Sequence, residues 1–196
     1  RGYCPPYLNA EERAQLGWFD IPLLKEAGDY TLQTIAHNQA YRIDTDNENE
    51  YFVIEYRKKE DWDSYIPGEG GIIIYHVDKS QNMVNGMTAA QRWMVNAVNC
   101  YPEHRCMYIV DANNQKAAIA KDVYYPSAKG NNAFNLTSKP AALSWAGVPL
   151  PFQIEAMQHD GQTATFKAKV DHEFAHVAGV VSLYDGNPLA NAVVQL

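Results

Sequence analysis

Residues 71–77 of the chain read GIIIYHV, a nearly continuous apolar run. Such a run, bounded by turn residues, is typical of a β-strand that is buried on both faces. The preceding segment, residues 62–71 (WDSYIPGEGG), contains Pro67 and three glycines, which predicts a loop. We therefore expect the fold to be organised around a central strand at residues 71–77.

Further strand signals surround this central strand. Residues 51–57 (YFVIEYR) and 163–170 (TATFKAKV) alternate in side-chain type. Asp160 and Gly161 separate residues 151–157 from the second of these stretches, which indicates a β-hairpin. Weaker β-forming stretches lie at residues 29–35, 39–43 and 107–111. The predicted fold class is mainly β with one or two short helices, an α+β protein with an antiparallel, sandwich-like sheet arrangement.

Two short helices are predicted where the sequence carries capping signals. Asn9 is followed three positions later by Glu12, as a capping box requires, and Gly17 is a typical helix stop. A helix is therefore predicted over residues 10–16. Thr88 is a candidate N-cap for a second helix, which is predicted over residues 88–99 (TAAQRWMVNAVN).

The composition limits the classes of partner. The 196 residues are 46% hydrophobic and 20% charged, as in an ordinary folded protein. The formal net charge of -7 disfavours nucleic acid and anionic membranes as partners. No apolar run is long enough to cross a bilayer, so no transmembrane segment is predicted. The chain opens with Arg1 and shows no leader, and we expect it to be a piece of a longer polypeptide.

The three cysteines are Cys4, Cys100 and Cys106, and an odd number cannot be fully paired within the chain. Cys100 and Cys106 bracket the segment YPEHR, in which Pro102 favours a turn. A small-loop disulfide between them is predicted, and two buried thiols are the alternative. Cys4 is then expected to be free or paired with a residue outside the chain.

An acidic segment, residues 44–50 (DTDNENE), invites comparison with a calcium-binding loop, because Glu55 lies eleven positions after Asp44. Two features oppose that interpretation. Asn49 occupies the sixth position, where glycine is expected, and Glu55 falls within a predicted strand. A solvated hairpin loop is the prediction, and calcium binding is the less favoured alternative.

Five residues near the central strand are candidates for contact with a substrate or ligand. Trp62, Asp63 and Tyr65 lie in the glycine-rich loop, where they are suited to line a groove. The alternative is a loop folded over the sheet with its aromatic side chains buried. Glu55 and Arg57 share one face of their strand and are placed to reach a substrate or partner. An ordinary cross-strand ion pair is the alternative for these two residues.

Near the end of the chain, His172, Glu173 and His176 form His-Glu-x-x-His, the pattern of zinc peptidases. Two histidines four apart share a zinc ion on a helix, but on a strand they lie about 13 Å apart. The strand-like stretches on both sides favour an extended segment, and Ser182 stands where a third ligand is expected. We interpret the motif as a chance match and expect no zinc there.

Six segments of the chain carry a pattern that is specific over the first 80 residues and looser from there to residue 170. They are residues 2–18 (GYCPPYLNAEERAQLGW), 50–57 (EYFVIEYR), 62–63 (WD), 66–78 (IPGEGGIIIYHVD), 93–99 (WMVNAVN) and 111–113 (DAN). Together these segments resemble one family of enzymes, the immune-inhibitor-A-like secreted bacterial zinc metallopeptidases. The block at residues 66–78 is the most specific part of the similarity and resembles the family pattern lPGxGlLIwHvD.

The resemblance implies that residues 1–170 are the C-terminal, non-catalytic portion of a metallopeptidase domain. In the family the zinc-binding helix precedes the GYCPPYL-like segment, so no catalytic residue and no zinc are carried over to this chain. The expected partners are the upstream catalytic part of the same polypeptide and a peptide or protein substrate. The resemblance implies a secreted, periplasmic or cell-surface protein. Its expected role is to complete the peptidase fold and shape the substrate groove, with residues 62–71 as a contact surface.

The last part of the chain resembles a different kind of module. Residues 177–196 (VAGVVSLYDGNPLANAVVQL) are similar to the opening of a carboxypeptidase-regulatory-like or similar immunoglobulin-like module. Residues 171–196 are therefore predicted to be a linker and the truncated start of a β-sandwich module. The residues that carry this similarity are Gly179, Asp185, Gly186, Pro188, Leu189 and Ala192.

Two functions from other classes remain open. The chain would be a zinc peptidase in its own right if His172, Glu173 and His176 bound the metal, and stoichiometric zinc would identify that case. It would be a stand-alone surface-binding β module if exposed aromatic side chains bound glycan or protein. Glycan binding without a peptidase partner would identify that second case.

Overall fold

The computed structural model describes residues 4–115 and 120–170. Within these residues the protein is mainly β, with two short α-helices and antiparallel sheets, as predicted. The predicted β-sandwich module and the His172-Glu173-x-x-His176 motif lie outside the described residues. The helices are α1 (Ala10–Gln15) and α2 (Ala89–Met94), with 3-10 turns at Ile35–His37 and Asp61–Tyr65. The strands are β1 (Gly28–Leu32), β2 (Ala40–Asp44), β3 (Glu50–Lys58), β4 (Gly70–Asp78), β5 (Met83–Val84), β6 (Met87–Thr88), β7 (Met107–Ile109), β8 (Phe152–His159) and β9 (Ala164–Val170).

The longer strands form two antiparallel sheets. The first sheet has the order β2-β3-β4-β7, and the second has the order β1-β9-β8. Strands β5 and β6 form a separate two-stranded hairpin. In the centre of the first sheet, β3 and β4 pair along their whole length, from Glu50 opposite Asp78 to Lys58 opposite Gly70. This hairpin positions most of the polar side chains described below.

Both faces of the central β3–β4 pair are buried, as residues 71–77 predict. On one face, Phe52 and Ile74 pack in a core that also contains Phe166 of the second sheet. On the other face, Val53 and Tyr75 belong to a second core that includes the first residue of α1. Burying each large apolar side chain stabilises the fold by about 1.5–3 kcal/mol. The central hairpin therefore fixes the positions of both layers that cover it.

Both helices begin as their capping signals predict. The Asn9 side chain accepts a hydrogen bond from the Glu12 N–H at 2.9 Å, and Glu12 accepts one from the Asn9 N–H at 2.9 Å. Thr88 caps α2 in the same way, in a reciprocal pair with Gln91. The predicted extent of α2 is wrong, because the helix ends at Met94 and not at residue 99. Asn96 adopts a left-handed conformation, with φ 56°, and a single such residue ends a helix.

The loop between β3 and β4 is more ordered than residues 62–71 predict. Its first part forms the 3-10 turn Asp61–Tyr65. Its glycines then let the backbone approach a neighbouring segment closely. At Gly68, which has φ +75°, a Cβ atom would lie 2.3 Å from the carbonyl oxygen of Lys121. A side chain at this position would therefore displace the loop from its packing surface.

Candidate functional site

The five residues selected from the sequence separate into two sets. The side chains of Trp62 and Tyr65 face solvent, and these residues are 53% and 79% exposed. Glu55, Arg57 and Asp63 are buried. The exposed set is available to a partner, whereas the buried set interacts with the rest of the protein. Asp63 connects the two sets, because it lies in the same turn, Asp61–Tyr65, as Trp62 and Tyr65.

Arg57 is the centre of a buried ionic network. Its Nε donates to Glu55 Oε1 at 2.6 Å, and its Nη1 lies 3.0 Å from each carboxylate oxygen of Asp63. The same Nη1 donates to the Tyr7 carbonyl oxygen at 2.9 Å. Burial alone would lower the pKa of Arg57, but the adjacent carboxylates of Glu55 and Asp63 raise it above its ordinary value. The guanidinium is therefore a permanent positive charge that is shared by two buried carboxylates.

The same network attaches the N-terminal segment to the central hairpin. Glu55 Oε2 accepts the Ala10 N–H at 2.7 Å, at the start of α1. Asp63 Oδ1 accepts the Tyr7 N–H at 2.9 Å, and the Tyr75 hydroxyl donates to Glu55 at 3.2 Å. Glu55 and Arg57 thus do not form the cross-strand pair considered above, because both lie on β3 and bind several segments at once. In this arrangement their structural role is to hold those segments together.

The exposed aromatic pair has a simple geometric basis. A 3-10 helix has three residues per turn, so residues three apart lie one above the other on the same side. Trp62 and Tyr65 are three apart within Asp61–Tyr65 and therefore share one side of the turn. Asp63 lies on the inward side, where Arg57 binds it. The alternative in which the aromatic side chains are buried is wrong, because Asp63 occupies the inward position.

A second polar cluster, which the sequence analysis does not single out, lies at the end of the β3–β4 hairpin. Glu50 Oε1 lies 2.9 Å from His76 Nε2, and His76 Nδ1 lies 2.9 Å from the hydroxyl of Tyr108. Glu50 Oε1 also accepts the Trp145 N–H at 2.6 Å. An ionised carboxylate only accepts hydrogen bonds, so His76 Nε2 carries a proton. In a neutral imidazole the Nδ1 atom is then the acceptor, and the Tyr108 hydroxyl donates to it.

A second histidine–carboxylate pair completes this cluster. His104 Nε2 lies 2.7 Å from Asp78 Oδ2, and Asn82 donates to the same carboxylate oxygen at 3.0 Å. The Trp145 ring packs between the two histidines, with ring centroids 5.4 Å from His76 and 4.3 Å from His104. The two pairs therefore hold the loop that carries Trp145 against the end of the first sheet.

The acid–base properties of this cluster follow from burial and hydrogen bonding together. Burial raises the pKa of Glu50, but the hydrogen bonds from His76 and the Trp145 N–H outweigh it, and the pKa lies below its ordinary value. For Asp78, hydrogen bonds from Ser80 and other donors likewise outweigh burial and lower the pKa. Burial raises the pKa of Tyr108 to about 12. At neutral pH the cluster thus contains two carboxylates and a neutral phenol.

The cysteines differ from both arrangements considered above. Cys4, Cys100 and Cys106 are all free thiols in the structure, so the predicted Cys100–Cys106 disulfide is not formed. Cys106 is buried immediately before β7, whereas Cys100 is exposed. Burial raises the pKa of Cys106 to about 11. The two cysteines thus differ in exposure, and neither a disulfide nor a pair of buried thiols is present.

Residues 45–49 of the acidic segment form the hairpin loop between β2 and β3, as predicted, whereas Asp44 ends β2 and Glu50 begins β3. Glu55 belongs to β3, and its carboxylate binds Ala10, Arg57 and Tyr75. Within residues 4–115 and 120–170, no three histidine, cysteine, aspartate or glutamate side chains form a group that could hold a metal ion.

Comparison of the chain with protein-family profiles, curated proteins and solved structures gave no match. In the described part of the chain, no helix is both long enough and apolar enough to span a membrane.

Proposed function

We propose that this chain is the non-catalytic C-terminal region of a secreted zinc metallopeptidase, where it completes the peptidase fold and shapes the groove for a peptide substrate. The observation that carries this proposal is the Trp62–Tyr65 pair, which is exposed on a turn anchored by buried ionic contacts. The catalytic zinc and its ligands belong, in this proposal, to the upstream part of the same polypeptide.

The connections between the family-like segments support the proposal. The run at residues 2–18 contributes Tyr7 and Ala10 to the buried network. The run at residues 50–57 contributes Glu55 and Arg57, and the run at residues 66–78 contributes Tyr75. Three segments selected only by their resemblance to one family thus meet around the Glu55–Arg57 pair. This contact is expected if the resemblance reflects a common fold.

The aromatic pair is suited to contact an extended peptide. Tyrosine and tryptophan offer a large contact area and lose little conformational entropy on binding, because each has only two side-chain torsions. Their turn is held by the Arg57–Asp63 ion pair, so the surface is ordered before a ligand arrives. Preorganisation of this kind improves binding by reducing the ordering that binding requires. The pair is therefore proposed as one wall of the groove.

The proposal is tested with the longer polypeptide that contains the upstream residues. The double variant Trp62→Ala, Tyr65→Ala should lower kcat/KM for an unfolded protein substrate such as casein by about fivefold or more. The matched control is Met94→Ala, since Met94 is 86% exposed but lies on α2. The proposal is wrong if the double variant cleaves casein as well as the unmodified polypeptide does, or if Met94→Ala lowers cleavage equally.

A second candidate function is a stand-alone surface-binding module. The same exposed pair favours it, because aromatic side chains on a rigid turn also suit binding of a glycan or a protein surface. This function requires no upstream partner. Binding of a glycan to the isolated chain, lost in the Trp62→Ala, Tyr65→Ala variant, would support it against the peptidase proposal.

A further inference from the structure

A cavity of about 200 Å³ opens next to the second polar cluster. Its apolar part includes Phe52, Phe134 and Leu143, and its polar part includes Arg105, Tyr108 and Asp111. Phe52 lies on the opposite face of β3 from Arg57, so this cavity is separate from the ionic network under the aromatic pair. An apolar concavity with a few polar groups is the usual form of a ligand site.

The cationic group of the cavity is not neutralised by a carboxylate of the described residues. Arg105 is exposed, and its guanidinium carbon lies 4.3 Å from the centroid of the Tyr108 ring. Within residues 4–115 and 120–170, it is absent from all ten ion pairs. Stacking on an aromatic ring orients a guanidinium, and its planar fork of donors then matches a carboxylate. This arrangement selects an anionic, carboxylate-bearing ligand.

The other two polar groups are hydrogen-bond acceptors. The Tyr108 hydroxyl lies 2.9 Å from His76 Nδ1, and its oxygen has two lone pairs, so at least one of them is left to accept a further hydrogen bond. Among the residues that the structure describes, the carboxylate of Asp111 accepts the backbone N–H groups of Asn113 and Gln115, at 2.9 and 3.1 Å. Both residues are thus suited to accept an amide N–H.

The volume of the cavity limits the size of the ligand. Pockets for drug-sized molecules enclose roughly 300–1,000 Å³. A cavity of about 200 Å³ is smaller than this range and suits a single amino-acid residue. A ligand that satisfies every feature has one apolar side chain, one free carboxylate and one amide N–H.

We infer that this cavity binds the C-terminal residue of a peptide, with its side chain on the apolar wall and its carboxylate on Arg105. The inference rests on the proposed function only for the choice of a peptide as ligand. It adds a subsite that is specific for a peptide whose C-terminal residue is apolar and has a free carboxylate. A released cleavage product carries such a terminus, and an intact internal segment does not.

The test is a calorimetric titration of the full chain with the tripeptide N-acetyl-Ala-Ala-Phe, as the free acid and as the C-terminal amide. The acid should bind at least about fivefold more tightly than the amide, because the amide cannot form the charge-assisted pair. The variant Arg105→Gln should remove this preference. The matched control is Lys25→Gln, which changes an exposed basic residue outside the cavity and should retain the preference.

Equal binding of acid and amide by the unmodified chain would overturn the inference, as would an unchanged preference in Arg105→Gln. Binding of acetate as tight as that of the tripeptide acid would also overturn it, since the site would then accept any small carboxylate. These outcomes do not depend on Trp62 or Tyr65. Failure of this subsite is therefore distinguishable from failure of the proposed groove.

Discussion

Arg57 Nη1 lies 3.0 Å from both carboxylate oxygens of Asp63, and the two side chains are almost completely buried. Asp63 directly follows the exposed Trp62 in the 3-10 turn Asp61–Tyr65. The ion pair therefore determines which side of the turn faces solvent. It links the buried ionic network around Arg57 to the exposed surface that we propose contacts substrate.

Replacement of Arg57 is predicted to destabilise the protein severely. Arg57→Ala would leave Glu55 and Asp63 buried without their cation, and removing one partner of a buried ion pair reduces the free energy of unfolding by about 3–5 kcal/mol. Urea denaturation measures this change. The control is Lys59→Ala, whose partner Glu69 has a 91% exposed side chain, and it should change stability by under about 1 kcal/mol. Similar losses in the two variants would contradict a buried role for Arg57.

Replacement of the aromatic pair should leave stability almost unchanged. Trp62 and Tyr65 are 53% and 79% exposed, and exposed substitutions usually change the free energy of unfolding by no more than about 0.5 kcal/mol. Trp62→Ala and Tyr65→Ala should therefore each unfold at nearly the same urea concentration as the unmodified chain. A loss above about 2 kcal/mol in either variant would show that its ring packs in the interior.

The second polar cluster predicts a specific pH dependence. The folded-state pKa of Glu50 lies below its ordinary value, so the unfolded chain binds a proton more readily than the folded one. The stability due to Glu50 is thus present above the ordinary carboxyl pKa of about 4.3, and it is lost as the pH falls through the lower folded value. Glu50→Gln should be less stable at pH 7 and should lose less stability on acidification.

The measurement for this prediction is urea denaturation at pH 7 and at pH 3. The control is Glu69→Gln, because the Glu69 side chain is 91% exposed and should leave the pH dependence unchanged. If Glu50→Gln and the unmodified chain lose the same stability between the two pH values, the hydrogen bonds with His76 and Trp145 do not lower the pKa of Glu50.

The thiols are predicted to react at different rates. Cys100 is exposed, whereas Cys106 is buried and has its pKa raised to about 11, so little reactive thiolate forms there. With iodoacetamide at pH 8, native Cys106 should be modified at least about tenfold more slowly than Cys100. Denaturation should remove the difference. A cross-linked peptide containing Cys100 and Cys106, found by mass mapping without reduction, would instead support the disulfide expected from the sequence.

Local signals in the sequence are sufficient to predict much of the fold. Strand β4 follows from the apolar run at residues 71–77, and α1 follows from the reciprocal pair Asn9 and Glu12. The end of α2 is less predictable, because it depends on Asn96 adopting a left-handed conformation, which asparagine tolerates but does not require. Local propensity therefore specifies where elements begin better than where they end.

The candidate site depends on contacts between distant positions, which local patterns do not reveal. Asp63 is turned inward by Arg57, and neither residue indicates the other in the sequence. The pair Glu50 and His76 carries a weak signal. If residues 50–57 and 71–77 are aligned as an antiparallel hairpin, these two residues fall on the same face in diagonal positions. That alignment requires the register between the two strands to be known, and a shift of two residues would change which residues are neighbours.

The central claim is that this chain serves a zinc peptidase without binding the zinc itself. The most direct test measures zinc content and chelator-sensitive cleavage of casein in two preparations purified without chelators. One contains the chain alone, and the other contains the polypeptide extended by the residues encoded upstream of Arg1. We predict zinc and cleavage only in the extended polypeptide. Stoichiometric zinc with chelator-sensitive cleavage in the chain alone, or the lack of both in the extended polypeptide, would contradict the claim.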